Sequence, residues 1–358
     1  MVNANPILGV FLSWLGGLAA ASFYVPFRKV RGWSWETFWL VGGVMSWIFA
    51  PWLLAGLLTR DLLGVLHAVP ASTLFWTYFF GVLWGVGGLT FGLTMRYLGM
   101  SLGMAVAMGN CAVFGTLVPP IFDHKFGQLL AQRSGIVTLI GVGVCALGIF
   151  LAGAAGISKE KELSSGQKKA NIREFNLKLG LAVGIFAGVM SACFAFGLRA
   201  GDPIKALAVA SGSSAVWQGL PVLVVLLAGG FTTNFIWCAI LNLRNHSSGE
   251  YLKIPAGATA ESKSPSILGN YFFSCLAGAI WYMQFFFYTM GESQMGRYKF
   301  SSWTLLMSTT IIFSTLWGIA LKEWRGVSRR TKVLVTLTLL MLVGSTVIVG
   351  YGNYLGSQ

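Results

Sequence analysis

Charge is scarce in this chain. Only 10% of the 358 residues are Asp, Glu, Lys or Arg, whereas a soluble domain carries about 25%. A water-facing surface cannot be coated with so few charges, so a soluble enzyme is excluded. Acids are scarcer still, at 11, and histidines number three. The five cysteines, Cys111, Cys145, Cys193, Cys238 and Cys275, lie inside apolar runs with no CxxC or Cys/His spacing. That removes a disulfide scaffold and a cysteine metal site and leaves small buried hydrophobes. There is also no Walker A motif, no HExxH and no dinucleotide fingerprint.

Apolar side chains are abundant: 55% of the residues are hydrophobic, 14% aromatic, and the mean hydropathy is +0.71. A disordered chain is thereby excluded. A membrane-spanning helix uses about 20 residues, so roughly 197 apolar residues supply about ten spans. An outer-membrane barrel would alternate along strands of about 10 residues, and these runs are continuous. The fold class expected is an all-α polytopic membrane protein.

The apolar runs fall at 7–25, 36–58, 74–94, 98–118, 136–156, 179–198, 210–241, 268–290, 300–321 and 332–354. The seventh is too long for one straight span and holds Gly219, Pro221, Gly229 and Gly230, so a tilted or kinked helix is expected rather than two short ones. The first run is expected to be a retained helix rather than a signal peptide. Met1 to Pro6 carries no cation, and the basic residues Arg28, Lys29 and Arg31 follow the run instead of preceding it.

The formal net charge of +14 invites a nucleic-acid reading, but the cations occupy the gaps between apolar runs, where a bilayer protein keeps them. No nucleic-acid partner is expected; the partner is the lipid bilayer. Gaps after odd-numbered spans hold 18 Lys and Arg, and those after even-numbered spans hold 7. The cation-rich side faces the cytoplasm, which predicts both termini outside it.

The hydrophilic gap 158–178 divides the chain into a first unit, 1–157, and a second, 179–358, with five spans each. An odd number of spans starts the second unit on the opposite side of the bilayer, so related halves form an inverted repeat. Two short correspondences support the relation. Arg96 to Ser101 matches Tyr288 to Ser293 between the third and fourth spans of each half, and Asp123 to Gly127 matches Lys322 to Gly326 after the fourth.

Because acids are few, their placement is informative. Nine lie in gaps and read as solvated: Asp61, Asp123, Glu160, Glu162, Glu174, Asp202, Glu250, Glu261 and Glu323. Glu292 ends the eighth span. Glu36 heads the second span in Trp33-Ser34-Trp35-Glu36-Thr37-Phe38-Trp39, and it shares a helical face with Trp39, Leu40, Gly43 and Trp47. Two readings stand open. One is a proton-binding carboxyl in a low-dielectric, aromatic-lined site; the other is an interfacial glutamate paired with Arg28, Lys29 or Arg31 at a helix N-terminus.

Arg96 is the lone charge between Leu74 and Val118, a snorkelling anchor or a charge partner in a site. On the eighth span Trp281, Gln284 with Phe285, and Tyr288 share one face. Aromatic faces stack on the C–H surface of a pyranose, and Gln and Tyr exchange hydrogen bonds with hydroxyls. An unpaired amide in hydrocarbon is costly, so Gln284 is expected to face inward. Tyr24, Trp39, Trp303 with Met307, and Ser308 are candidates for the same cavity. The GxSxG at Gly99 to Gly103 opens a membrane helix with no histidine in reach, so it is not a nucleophile elbow. Gly81/Gly85, Gly88/Gly92 and Gly184/Gly188 read as close-packing faces.

Phe23 to Val30, Gly32 to Thr37, Phe91 to Ser101, Trp281 to Tyr288 and Leu321 to Trp324, in order over nearly the whole chain, together resemble the bacterial L-rhamnose–proton symporter family of the drug/metabolite transporter superfamily. The resemblance implies ten helices in a 5+5 inverted repeat, a location in the bacterial inner membrane, and uptake of L-rhamnose and related sugars with a proton. Glu36 would then carry the proton, while Gln284 with the tryptophans and tyrosines would hold the sugar. No organic cofactor or metal is expected, the proton being the coupling ion. A metabolite exporter or antiporter of the same superfamily shares the fold and is the alternative. A membrane-embedded transferase would need clustered carboxylates or histidines, and none is evident.

Overall fold

The computed structural model describes residues 5–98, 100–162, 176–253, 266–322 and 324–358. Within them every regular element is helical. The long helices are α1 (Pro6–Ser22), α2 (Trp35–Leu58), α3 (Ala71–Leu98), α4 (Met100–Phe122), α5 (Arg133–Glu162), α6 (Leu177–Ala200), α7 (Leu220–Arg244), α8 (Ile267–Gln294), α9 (Ser301–Ala320) and α10 (Arg329–Ser357). Eight stretches are long and apolar enough to cross a membrane, belonging to α1 to α3, α5 to α7, α9 and α10. In α4 only 106–122 forms an apolar stretch. α8 is diluted by Asn270, Ser274, Gln284 and Glu292. The chain is a multi-pass membrane protein.

Local chemistry starts the helices where the polar gaps end. The side chains of Asn5, Asn176, Ser266 and Ser328 each accept a hydrogen bond from a backbone N–H three residues on, at 3.1–3.3 Å, filling a donor that the first turn leaves unpaired. Pro6 follows the first of these caps, where its missing N–H is harmless. The opposite effect appears in α2. Pro51 removes a hydrogen bond inside the helix, and the preceding residues Val44–Phe49 widen into a π turn around the buried Trp47.

The seventh apolar run resolves into one helix rather than a long kinked one. Ser211 to Gln218 leaves the helical path through Gly212, at φ +88°, and a 3-10 turn at Ala215–Trp217. α7 then starts at Leu220, with Pro221 in its first turn. The proline expected to kink a helix starts one instead. The gap 158–178 lies largely outside the described residues.

In the packing, α3 lies along α6 and α7, and α8 lies along α1 and α2. α4 packs on α6 and α5, α9 packs on α1 and α10, and α5 runs against α10. At the end of that last pair Glu162 accepts from the Ser328 N–H at 2.7 Å and from the Ser328 and Thr331 hydroxyls at 2.6 Å each. Those donors hold its carboxyl below the ordinary carboxylate range. Glu162 is exposed, as expected of a gap acid, and it also ties α5 to the start of α10. Within the helices, hydroxyls such as Ser13 and Thr309 donate to carbonyls of their own helix, so they place no unpaired donor in hydrocarbon.

Glycine sets the closest approaches. A side chain on Gly278 of α8 would strike the Gly42 carbonyl of α2, and one on Gly81 of α3 would strike the Leu226 carbonyl of α7. Gly85, Gly184 and Gly188 also face neighbouring helices. Gly88 and Gly92 face open space, so that expected packing pair is corrected: spacing alone does not say which helix face is covered. Gly99, and hence part of the Gly99 to Gly103 motif, lies outside the described residues.

Gly278→Val should lower thermal stability in detergent by roughly the 1–3 kcal/mol of an overpacked core. Gly88→Ala should be neutral or gain up to about 1 kcal/mol from helix propensity. Thermal unfolding of the two purified variants, followed by circular dichroism, checks the contrast.

Candidate transport pathway

α8 presents Trp281, Phe285, Tyr288 and Glu292 along one face, at i, i+4, i+7 and i+11. Aromatic rings continue that face into a path through the molecule. Tyr24 and Trp39 lie 6.5 Å apart between ring centres, Trp39 and Trp281 5.0 Å, and Trp281 and Phe285 6.5 Å. Phe285 then meets Phe194 of α6 at 4.8 Å, and Phe194 meets Trp303 of α9 at 5.8 Å. Tyr288 stands edge-on to Trp303 at 5.7 Å. Trp47 joins the path beside Trp281 at 4.9 Å, and Phe23 stacks on the same indole at 4.7 Å.

Most of these rings are buried; Tyr24 is exposed. Two of their indole nitrogens are held by the scaffold, while that of Trp47 has no hydrogen-bond partner among the described residues. Trp39 Nε1 donates to Asn234 Oδ1 of α7 at 3.1 Å, and Trp303 Nε1 donates to the Cys111 carbonyl of α4 at 3.0 Å.

At the Tyr288 and Trp303 end the path opens into a cavity of about 130 Å³. Its walls come from the C-terminal ends of α4, α6 and α8 and from the segment leading into α9. Pro119, Pro120, Phe300 and Trp303 give it an apolar side. Asp123, Lys125, Arg199, Asp202, Glu292 and Lys299 give it a charged one. A drug-sized ligand needs roughly 300–1,000 Å³, so this space suits a small polar solute.

The opposite end is closed. Glu36, in the first turn of α2, is only 4% exposed. Its Oε1 accepts from Asn245 Nδ2 at 2.9 Å and from the Ser247 hydroxyl at 2.8 Å. Glu250 reciprocates from the segment after α7. Its Oε2 accepts from the Ser34 N–H at 2.7 Å, the Ser34 hydroxyl at 2.9 Å and the Thr37 hydroxyl at 2.7 Å. Trp33 packs its ring against Tyr251 and Tyr271 beside them. Two carboxylates thus pin the 245–251 segment across the start of α2. Glu250 had been read as a solvated gap acid, and the fold gives it three donors.

The sequence candidates divide between these places. Tyr24, Trp39, Trp281, Phe285, Tyr288 and Trp303 lie on the ring path, and the last two also line the cavity. Glu36 stands at the closed end, away from the cavity lining. Gln284 is half-buried on the side of α8 approached by Gly16 of α1, and its amide has no hydrogen-bond partner among the described residues. Ser308 bonds the Thr304 carbonyl at 2.8 Å and meets Cys145 Sγ at 2.9 Å and Ser345 Oγ at 3.2 Å. That places it in the α5–α9–α10 packing seam. The Arg96 side chain lies outside the described residues.

Sequence reasoning missed the charged cavity wall, having read Asp123 and Asp202 as solvated. One signal was present: Glu292 continues the Trp281–Phe285–Tyr288 face by one further turn. The pairing of Asp123 with Arg199 depends on helix ends that converge only in the fold, whereas Arg199 and Asp202 are three residues apart in the chain.

A helical membrane bundle with a row of packed rings between a polar cavity at one end and hydrogen-bonded carboxylates at the other is an arrangement a solute transporter can use. The family model described as L-rhamnose-proton symport protein (RhaT) matches residues 1–354. The chain is 36% identical over 352 residues to the L-rhamnose-proton symporter of Klebsiella pneumoniae (strain 342), covering 98% of this chain and 99% of that protein. It is also 36% identical over 346 residues to the L-rhamnose-proton symporters of Cronobacter sakazakii and Shigella sonnei, covering 96% of this chain and 97% of each. The chain belongs to the L-rhamnose-proton symport protein family; it is a transporter and not an enzyme.

Glu250→Ala should free the 245–251 segment. Hydrogen bonds to a charged acceptor contribute about 1.5–3 kcal/mol each, so losing the set should raise protease cleavage between Asn245 and Lys253 by roughly tenfold or more. Limited proteolysis of the purified protein in detergent measures it.

Proposed function

We propose that this protein imports L-rhamnose together with a proton across the bacterial inner membrane, by alternating access in a bundle of ten transmembrane helices. The observation carrying the reading is a cavity, with Tyr288 and Trp303 among its lining residues, in a chain whose relatives are named for this transport. A pyranose offers a C–H face to the indole and hydroxyls to the charged wall. Trp281, Phe285, Trp39 and Tyr24 continue the contact surface along the path, with Gln284 beside it. Related sugars of similar shape are substrates on the same reasoning.

Two inverted five-helix units, 1–157 and 179–358, are supported by the packing. If each helix of the first unit is matched to the helix five places on, α3 against α6 and α7 corresponds to α8 against α1 and α2. α4 against α6 and α5 corresponds to α9 against α1 and α10. The chain also leaves both α4 and α9 through a left-handed residue, His124 at φ 56° and Lys322 at φ 61°. The cation count puts the Glu36 end in the cytoplasm, both termini in the periplasm, and the cavity on the periplasmic side. The conformation is then outward-open.

Glu36 is the coupling acid on this reading because it closes the inward end. Its carboxylate accepts from both Asn245 and Ser247, and a proton on it weakens an acceptor on which that closure rests. Rhamnose is neutral, so the proton connects its uptake to the membrane potential, which supplies about 2.3 kcal/mol per charge per 100 mV. A metabolite exporter would share the fold, but the relatives' names favour import.

Adding L-rhamnose to lightly buffered, de-energised cells that express the protein should alkalinise the medium; acidification or no change overturns symport. Glu36→Gln should abolish that alkalinisation while rhamnose exchange persists at a reduced rate. Full coupling in the variant removes Glu36 from the role.

A further inference from the structure

Four rings meet where the path is deepest. Trp47 of α2 lies 4.9 Å from Trp281 of α8, 6.1 Å from Trp84 of α3 and 6.5 Å from Phe231 of α7, between ring centres. Each of the four stands within one residue of the midpoint of its helix, the depth farthest from both water layers. When helices are matched five places on, α2 corresponds to α7 and α3 to α8. The rings then form two related pairs, at the interface and depth where inverted-repeat transporters hold their substrates.

Trp47 differs from the other buried indoles of the path. Trp39 donates to Asn234 and Trp303 to the Cys111 carbonyl. Trp47 is only 1% exposed, and its Nε1 has no partner among the described residues. Gly43 sets the direction of that nitrogen. A side chain on Gly43 would come within 2.7 Å of Trp47 Cζ3 and 2.9 Å of Cε3, so the glycine lets the benzene edge of the indole lie against its own helix. Nε1 is on the other edge and is turned away from that turn, among rings whose faces accept hydrogen bonds only weakly. The residue also lies within the π turn Val44–Phe49, and single π turns recur at functional sites. The adjoining residues Ser46 and Tyr282 likewise bury hydroxyls without partners, but a hydroxyl hydrogen rotates; an indole N–H has one direction. A phenylalanine would fill the same cage and leave no orphan donor. The donor is disfavoured while nothing accepts it, and a bound solute with an oxygen acceptor removes that penalty.

We propose that the Trp47 indole N–H binds L-rhamnose, donating to one ring hydroxyl oxygen while the sugar sits among the midplane rings. The inference rests on the symport reading and deepens it, by naming the residue that supplies a directed contact in an otherwise apolar passage. The rings part to admit the sugar. Its C–H face stacks on an indole, and the hydroxyl that meets Nε1 fixes how the pyranose is turned. Stacking alone tolerates rotation, whereas a hydrogen bond weakens steeply off its line. Trp47 is therefore a specificity-determining contact.

The test uses the full-length protein in proteoliposomes. It measures exchange of labelled L-rhamnose, which needs no net proton movement, in competition with unlabelled L-rhamnose and its 1-, 2-, 3- and 4-deoxy derivatives. Two replacements remove the N–H: Trp47→Phe, and 3-benzothienylalanine at position 47, in which sulfur takes the place of the nitrogen and the ring keeps its shape. Both should weaken L-rhamnose roughly three- to tenfold, as the loss of one hydrogen bond does. In the benzothienyl protein three derivatives should lose affinity alike. The fourth, which lacks the accepting hydroxyl, should bind that protein and the unmodified one equally. A packing role would shift all five ligands together. Unchanged affinity for L-rhamnose, or an equal loss for every derivative, overturns the proposal. If Trp47→Phe does not fold, the benzothienyl protein decides the question. If the unmodified protein exchanges no L-rhamnose, the transport reading fails instead.

Discussion

A backbone in hydrocarbon has no water to bond, so each of its polar groups must be satisfied within the protein. That constraint organises the whole molecule. It makes every described regular element a helix, caps four helix starts with Asn or Ser, and turns hydroxyls such as Thr309 back onto carbonyls of their own helix. It also makes each departure from helix informative. The π turn around Trp47 and the break before Leu220 both occur next to prolines. The π turn surrounds a buried indole, whereas residues 211, 212 and 214 of the second break are exposed.

Charge obeys the same constraint more severely. Where carboxylates are drawn into the protein they come with donors: Glu36 with Asn245 and Ser247, Glu250 with Ser34 and Thr37, Glu292 with Lys205. These groups stand at opposite ends of one aromatic path, which itself offers few polar atoms. The packed rings and the ionisable groups are thereby kept apart in the fold.

The sequence made some of this legible and not the rest. Trp281, Phe285 and Tyr288 were readable because helical period alone puts them on one face, and Glu292 extends that period by a turn. Ser308 and Gly88 were misleading for a common reason. Period assigns a residue to a face of its own helix but not to a neighbour, so Ser308 joins a packing seam with Cys145 and Ser345, and Gly88 faces open space. The acids at 123, 202 and 250 looked solvated because sequence distance from an apolar run resembles exposure. In the fold they are half-exposed yet partnered, Asp123 and Asp202 by Arg199 and Glu250 by Ser34 and Thr37.

By itself the sequence determined that the chain lives in a bilayer, roughly where its helices run and which residues share each helical face. Those properties follow from local composition and a fixed rise and twist per residue. Tertiary structure alone decided which faces meet, and so which acids acquire partners. Arg199, Asp202 and Lys205 are spaced three residues apart along the chain, but the contacts of Arg199 with Asp123 and of Lys205 with Glu292 join separate helices. No periodicity encodes those two contacts; only packing around a shared cavity brings the five charges into a line.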